Sequence, residues 1–392
     1  MAKTVILSTA RTPIGKLSGG LSSLPATELG SIAIRGALER AGVAPEEVEH
    51  VVMGQVLQGG AGQIPSRQAQ IAAGIPIGVS SETINKVCAS GMRAIAIADL
   101  HIRAGEVDVA VGGGMESMSQ APHALPGSRN GFRMGPATMI DLMQYDGLTN
   151  AFTGKQMYVE ATEVGDELSI TRESLDEFAA RSHERALAAR ENGNLPAEIV
   201  PVTVPGRKGD TIVEHDEGPR EGTTAESLSK LRGLVKDGTH TAGNSPSVND
   251  GGAALVLASE EWAQKNGKQI LGEIVGHAQV ADDFPYLAKT PAAAAKKALD
   301  RAGLTVDDID LWEFNEAFSS VGLNSMTALG LTPENVNVNG GAVALGHPLG
   351  MSGARIVGSL VLELNRRGGG LGVAAICSGG GQGDAIIVRV GS

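Results

Sequence analysis

Cysteine is almost absent from this chain of 392 residues, which holds two, Cys88 and Cys377. So sparse and distant a pair excludes a disulfide framework and points to a reducing compartment, taken here as the cytoplasm. Each cysteine then needs a local explanation. Long hydrophobic runs are also missing: the longest, such as "AIAIADLHI", is broken by Asp99 and His101, well short of the roughly 20 residues that span a bilayer. "MAKTVILSTARTPIGKL" reads as a strand and a turn rather than a secretory signal, and "RVGS" is no targeting tail. Basic excess is lacking too. With 32 Lys and Arg against 44 Asp and Glu, the net charge is −12, which argues against nucleic acid or a membrane surface as partner. An anionic small ligand is still allowed. Arg207, Lys208, Arg220, Lys230, Arg232 and Lys236 cluster in one polar, Gly-rich region, which reads either as a ligand face or as a solvated loop.

What is present begins with enough apolar residues, 42%, to build a large core in two or three domains. An internal duplication organises them. "ALERAGVAPEEVEHVV" (37–52) aligns without gaps to "ALDRAGLTVDDIDLWE" (298–313), with five identities and four Glu/Asp exchanges. Each segment reads as a helix end stopped by glycine, an acidic turn and a strand. "SGMRA" (90–94) and "SGARI" (352–356) then open matching apolar helices, followed by "VDVAVGGG" and "LGVAAICSGGG". The pattern predicts two related α/β halves around a mainly parallel sheet. In the first of these helices Ile95, Ile97, Leu100 and Ile102 cover most of the circumference, which predicts burial between layers. Residues 121–248 have no counterpart in the second half and read as an insertion. The expected division is 1–120 with 249–270, then 121–248, then 271–392.

Cys88 lies two residues before the "SG" of the first helix and His347 five before that of the second. If the halves pack about a pseudo-twofold axis, the two side chains converge. A cysteine at a helix N-terminus is either a buried, inert residue or a thiol whose pKa the helix dipole lowers. A histidine in the matching place and Cys377 beside "SGGGQG" favour the second reading: His347 can take the thiol proton, and Gly379 lets backbone N–H groups approach an oxyanion. Asn315 in "LWEFNEAF" is either a helix cap or a group that orients water or a carbonyl. "GGAVALGHPLGMSG" is no P-loop, since His-Pro stands where a lysine is needed, and it lacks dinucleotide-binding spacing. Two distant cysteines and scattered histidines do not form a metal-ligand pattern, so no metal is assigned.

"NKVCASGMRAI", "GGGMESMSQAPH", "TAGNSPSVNDGGAAL", "NEAF", "NVNGGAVALGHPLGMSGARI" and "CSGGGQGDA" together resemble the thiolases, and among them the short-chain acetyl-CoA acetyltransferases. The resemblance implies a duplicated five-layer α-β-α-β-α core with an inserted loop domain, usually as a homotetramer, with "HALPGSRNGF" similar to the family's tetramerisation loop. It implies that Cys88 is the acylated nucleophile and His347 its base. Asn315 would hold a water in one oxyanion hole, Cys377 would be the acid/base for the second acetyl-CoA, and the N–H groups of Cys88 and Gly379 would form the other hole. Arg220, Ser227, Ser247 and Met157 are the implied coenzyme A contacts. Coenzyme A and acetyl-CoA enter as substrates, with no tightly bound cofactor. Two positions depart from the pattern: Gln156 stands where the family commonly has histidine, and Pro246 where many members have serine. The implied reaction is reversible Claisen condensation of two acetyl-CoA. Its alternatives are a degradative 3-ketoacyl-CoA thiolase of broader chain length and a non-catalytic acyl-CoA binding homologue.

Overall fold

A computed structural model describes residues 2–391 of the chain. Strand β1 (Thr4–Arg11) shows no polar/apolar alternation and is buried on both faces, its polar Thr4, Ser8, Thr9 and Arg11 included, as a strand covered by helices on both sides must be. Helix α1 (Ala26–Ala41) follows and ends at Gly42, whose φ of 59° only glycine adopts cheaply. Strands β2 (His50–Gly54) and β3 (Ser80–Ile84), helix α2 (Ser90–Ala104) and strand β4 (Val109–Ser117) come next. The chain then leaves the core and returns as β5 (Asn249–Ser259). The second half contains β6 (Gly272–Ala281), α3 (Thr290–Ala302), β7 (Leu311–Phe314), α4 (Ser319–Leu329), α5 (Leu349–Arg366), β8 (Gly370–Ser378) and β9 (Gln382–Val390).

The duplication is visible in the pairing. In the first half the order is β3-β2-β4-β5-β1, with β2 parallel to both neighbours and β5 antiparallel to both. In the second half β7 is parallel to β8 and, through a single bridge from Trp312, to Val336; β9 is antiparallel to β8 and β6. That lone bridge stands where the first half has β3. The half-sheets join edge to edge where Val5 and Ile6 face Glu273 and Gly272. Helix α1 covers the outer face of the first half-sheet and α3 that of the second, while α2 and α5 pack together between them. The result is five layers.

The sheet is mixed, which corrects the expectation of a mainly parallel one. In each half the last strand is reached by reversing the chain rather than by a helical crossover, so it must run antiparallel. The second half reverses in the short turn Gly379–Gly381, and the first makes the long excursion between Ser117 and Asn249. Burial of α2 is also partial: Ile95 and Ile102 are fully buried, but Leu100 is 45% exposed because it lies on one open face of the helix with the partly exposed Arg93 and Ile97. The excursion is anchored on β1 by Arg11, which is buried and bonded to Glu198 and Asp216 at 2.7 Å each.

The two central helices touch through glycine. A Cβ on Gly91 would lie 2.6 Å from the Gly350 carbonyl oxygen, and one on Gly353 would strike the backbone nitrogen of Met92. Backbones this close leave no room for a methyl group. Replacing Gly353 with alanine is therefore expected to cost about 1–3 kcal/mol, as overpacked cores do, read as a lower urea midpoint. An unchanged midpoint would contradict the close crossing.

Candidate active site

The short segment before α2 is bent sharply. Val87 has φ 44°, a conformation that costs a β-branched residue about 1–3 kcal/mol. Its surroundings hold it there. The Val87 N–H donates to Asn85 Oδ1 at 3.0 Å, the Ser90 hydroxyl donates to the Val87 carbonyl at 2.6 Å, and the Lys86 N–H donates to Ser90 Oγ at 2.8 Å. The Lys86 ammonium is fixed by Asp384 and Gln279, and the Ser378 hydroxyl donates to the Lys86 carbonyl. These last bonds tie the bend to the strand that carries Cys377. Cys88 is thereby presented at the N-terminal end of α2, 4% exposed.

The dipole argument predicts a lowered thiol pKa, and burial reverses it. Loss of water pushes the Cys88 thiol up to about 12, against the opposing effect of the backbone N–H groups of Cys88 and Gly379. Cys377 too is raised well above its ordinary range, by burial first and then by the charge of Cys88. Both thiols are free and protonated at rest, so reaction needs a base beside them and donors for the charge that forms.

His347 is placed so that it can serve as that base. It precedes α5 as Cys88 precedes α2, and Gly346 before it has φ 112° with its Cα against the Asn249 side chain, where a Cβ would come within 2.5 Å. Asn249 Oδ1 accepts the His347 N–H at 2.9 Å. The Ser352 hydroxyl is committed to the Pro348 carbonyl at 2.9 Å, so its oxygen accepts from His347 Nδ1 at 2.6 Å. This leaves Nε2 with its lone pair. Burial, and then the charge of Arg355, hold the ring down to about 3, so it is neutral. Asn315 Nδ2 lies 3.4 Å from Nε2, and its Oδ1 is buried with no partner among the described residues. Asn315 caps no helix, since α4 begins four residues later. The neighbouring Glu316 instead braces the loop through Ser182, Asn337 and the Val343 N–H.

Cys88 and His347 line one small cavity of about 80 Å³ whose other walls include Met118, Leu148, Met157, Pro246, Ser247, Phe318 and Leu349. The walls are mostly apolar. A second groove, lined by His183, Arg220, Leu228, Leu231, Ser245 and Val343, shares Ser247 with this cavity. Of the four residues expected to contact coenzyme A, Met157 and Ser247 reach the cavity and Arg220 the groove. Ser227 is exposed, its hydroxyl bonded within the cap at Thr224, outside the lining of both. Gln156 is bonded to Thr149 at 2.8 Å, away from the sulfur, whereas Pro246 is part of the cavity wall.

Three supporting residues escape a reading of the sequence. Ser352 sets the histidine tautomer, Asn249 holds the loop, and Glu116 accepts the N–H groups of Val56, Leu57 and Gly350 at 2.9–3.1 Å, pinning α5 to β4. Burial pushes the Glu116 carboxyl up to about 7. All three lie inside quoted motifs, yet nothing in linear spacing shows which groups they meet.

The resting pair, a thiol that ionises near 12 and a ring that protonates near 3, has no titration in the working range. Because the folded pKa of His347 is depressed, the base is lost only as pH falls through about 3. Acyl transfer from a thioester to Cys88 is thus expected to be flat between about pH 5 and 8 in rapid-mixing experiments. A limb near the ordinary histidine value would contradict the buried, neutral ring.

The comparisons with known proteins agree with this geometry. Residues 4–261 match the family description "Thiolase, N-terminal domain" and residues 268–390 match "Thiolase, C-terminal domain". A probable acetyl-CoA acetyltransferase of Mycolicibacterium smegmatis is 52% identical over 98% of this chain and 100% of its own. The acetyl-CoA acetyltransferase of Cupriavidus necator is 47% identical over 99% of this chain and 100% of its own. The crystal structure of the Bacillus anthracis acetyl-CoA acetyltransferase superposes with a TM-score of 0.97 at 40% identity, covering 100% of this chain and 99% of that one. With two helix N-termini delivering a cysteine and a histidine to one small, mostly apolar cavity, and both family domains matched in order, the chain belongs to the thiolase family.

Proposed function

We propose that the chain is an acetyl-CoA C-acetyltransferase, interconverting two acetyl-CoA with acetoacetyl-CoA and free coenzyme A. The observation that carries this reading is that Cys88 and His347 line one cavity too small and apolar for more than a short acyl group, with Cys377 and the Gly379 N–H near enough to act on the Cys88 sulfur. His347 Nε2 takes the Cys88 proton as the sulfur attacks the thioester carbonyl. Cys377 gives its proton to the departing coenzyme A sulfur and becomes a thiolate. That thiolate removes a proton from the methyl carbon of the second acetyl-CoA, and the carbanion attacks the acetyl group on Cys88. The expelled Cys88 sulfur recovers its proton from His347, which restores the resting state. The raised pKa of Cys377 suits this role, because only a strong base removes so weakly acidic a proton.

The N–H groups of Cys88 and Gly379 stabilise the oxyanion on the acylated cysteine, while His347 and a water held by Asn315 stabilise the other. Coenzyme A lies in the groove of Arg220, with Ser247 and Met157 leading to the sulfur and Ser227 at the rim. It enters as substrate, and no tightly bound cofactor is needed. The two free cysteines suit a reducing, cytoplasmic setting; among the described residues no helix is long and apolar enough to cross a membrane. The reading includes a homotetramer, supported by the arm in which His123–Ala124 pairs with Ile140–Asp141 and which exposes Phe132, Met134 and Met139. It also includes the division of the chain into 1–120 with 249–270, 121–248 and 271–392.

Two measurements test it. Thiolysis of acetoacetyl-CoA should exceed that of a 3-ketoacyl-CoA two methylenes longer by at least about tenfold in kcat/KM; equal values would favour the degradative alternative. Cys377→Ala should still accept an acetyl group on Cys88 while condensation falls by about 10²–10⁴, the usual weight of a general acid/base. Normal condensation by that variant would overturn the role of Cys377.

A further inference from the structure

A second cluster of chemistry-bearing side chains stands at the opposite end of α2. His50 begins β2, Glu82 lies in edge strand β3, and His101 is in the last turn of α2. His50 Nε2 is 3.2 Å from Glu82 Oε1, and His101 Nε2 is 3.6 Å from the same oxygen. The potential ligand atoms of all three lie within 4.8 Å of one another. Two donors bound to one tetrahedral zinc at about 2.0–2.1 Å are separated by about 3.3 Å. The two nitrogen–oxygen distances fall on either side of that edge length.

The other ring nitrogens supply an independent observation. His50 Nδ1 is bonded to Ser80 Oγ at 2.8 Å, and His101 Nδ1 is bonded to a carboxylate oxygen of Glu106. Metal-binding histidines are oriented in this way, with the far nitrogen donating to a hydroxyl, carbonyl or carboxylate so that the near one keeps its lone pair for the ion. Both rings here turn Nε2 toward one carboxylate and Nδ1 toward an outer partner. An ordinary surface ion pair needs neither the second imidazole nor the outer carboxylate. The side chains are 11%, 43% and 31% exposed for His50, Glu82 and His101, so an ion can enter and a water can complete its shell. Positions 50, 82 and 101 form no spacing pattern, which is why scattered histidines gave no metal assignment from the sequence.

We propose that His50, Glu82 and His101 form a binding site for one divalent ion of the zinc class, with Ser80 and Glu106 orienting the two imidazoles. Eleven residues of helix separate Ser90 from His101, about 17 Å along the axis, so the ion takes no part in the reaction at Cys88. Its effect is to clamp β3 and β2 to the end of α2, the helix whose start presents the nucleophile. Metal bound only to the folded state raises its stability.

The test is calorimetric titration of zinc chloride into the chelator-treated, full-length enzyme, repeated with Glu82→Gln and His101→Gln. The expected result is one ion per chain for the parent and at least about tenfold weaker binding for either variant. Glu106→Gln should weaken binding by about 10–100-fold through the orienting bond. Zinc should raise the melting temperature of the parent and not of the ligand variants, which should keep normal thiolase turnover in the absence of metal. Cobalt substitution identifies the donors: a spectrum without a sulfur-to-cobalt charge-transfer band is expected. Absence of saturable binding, undiminished binding in both ligand variants, or a charge-transfer band from cysteine would each overturn the assignment.

Discussion

The backbone crossing of α2 and α5 at Gly91, Gly350 and Gly353 is the contact on which the active site depends. Each helix carries one reactive residue just ahead of its first turn, Cys88 on one and His347 on the other. Side chains at the crossing would push the helix axes apart toward the usual 8–10 Å or more. The thiol and the ring would then no longer share one cavity. The duplication explains why the arrangement is symmetric: two copies of one half-fold, packed face to face, bring equivalent helix starts to a common centre. What differs between the copies is the chemistry placed at each start and the length of the last reversal. The short reversal leaves Gly379 beside the sulfur, and the long one supplies the walls of the groove.

Burial decides the electrostatics of this centre. Helix dipole and N–H donors favour a thiolate, burial opposes it, and burial wins. The same burial keeps His347 neutral and so able to accept the proton that Cys88 does not release by itself. A site of this kind holds little charge at rest and develops it only during reaction, where the N–H groups of Cys88 and Gly379 are already directed at the sulfur. The strained Val87 and the left-handed Gly346 are the local consequences of aiming two side chains into so small a space. Glu116, Asn249 and Ser352 carry that strain by bonding backbone and ring on the far side from the cavity.

The meeting of Cys88 and His347 in one cavity was legible because duplication and motif agree. Cys88, His347 and Cys377 stand at matched or glycine-flanked positions that periodicity alone marks as strand and helix ends. Strand direction was not legible: hydrophobic runs show burial on both faces and not the sense in which a neighbour returns. The reading of Leu100 failed for a related reason, since an apolar residue on every side of a helix does not show which face the neighbouring layers leave uncovered. The thiol pKa was misjudged because the helix terminus is visible in sequence and desolvation is not. Glu116 and Asn249 were missed as supports because the backbone groups they hold lie tens to hundreds of residues away, and Ser352 because linear spacing does not show that its hydroxyl turns back onto the His347 ring. His50, Glu82 and His101 meet only when two strands and a helix assemble.

The most direct test of the central claim, that the crossing delivers a nucleophile and its base to one acyl-sized cavity, is the intact mass of the protein after brief exposure to acetyl-CoA. Peptide mapping and a parallel His347→Ala sample complete it. The account predicts one acetyl group on Cys88, removed by free coenzyme A, with acetylation slowed by at least about 10²-fold in the variant. An acetyl group elsewhere, or equal acetylation without the histidine, would contradict it.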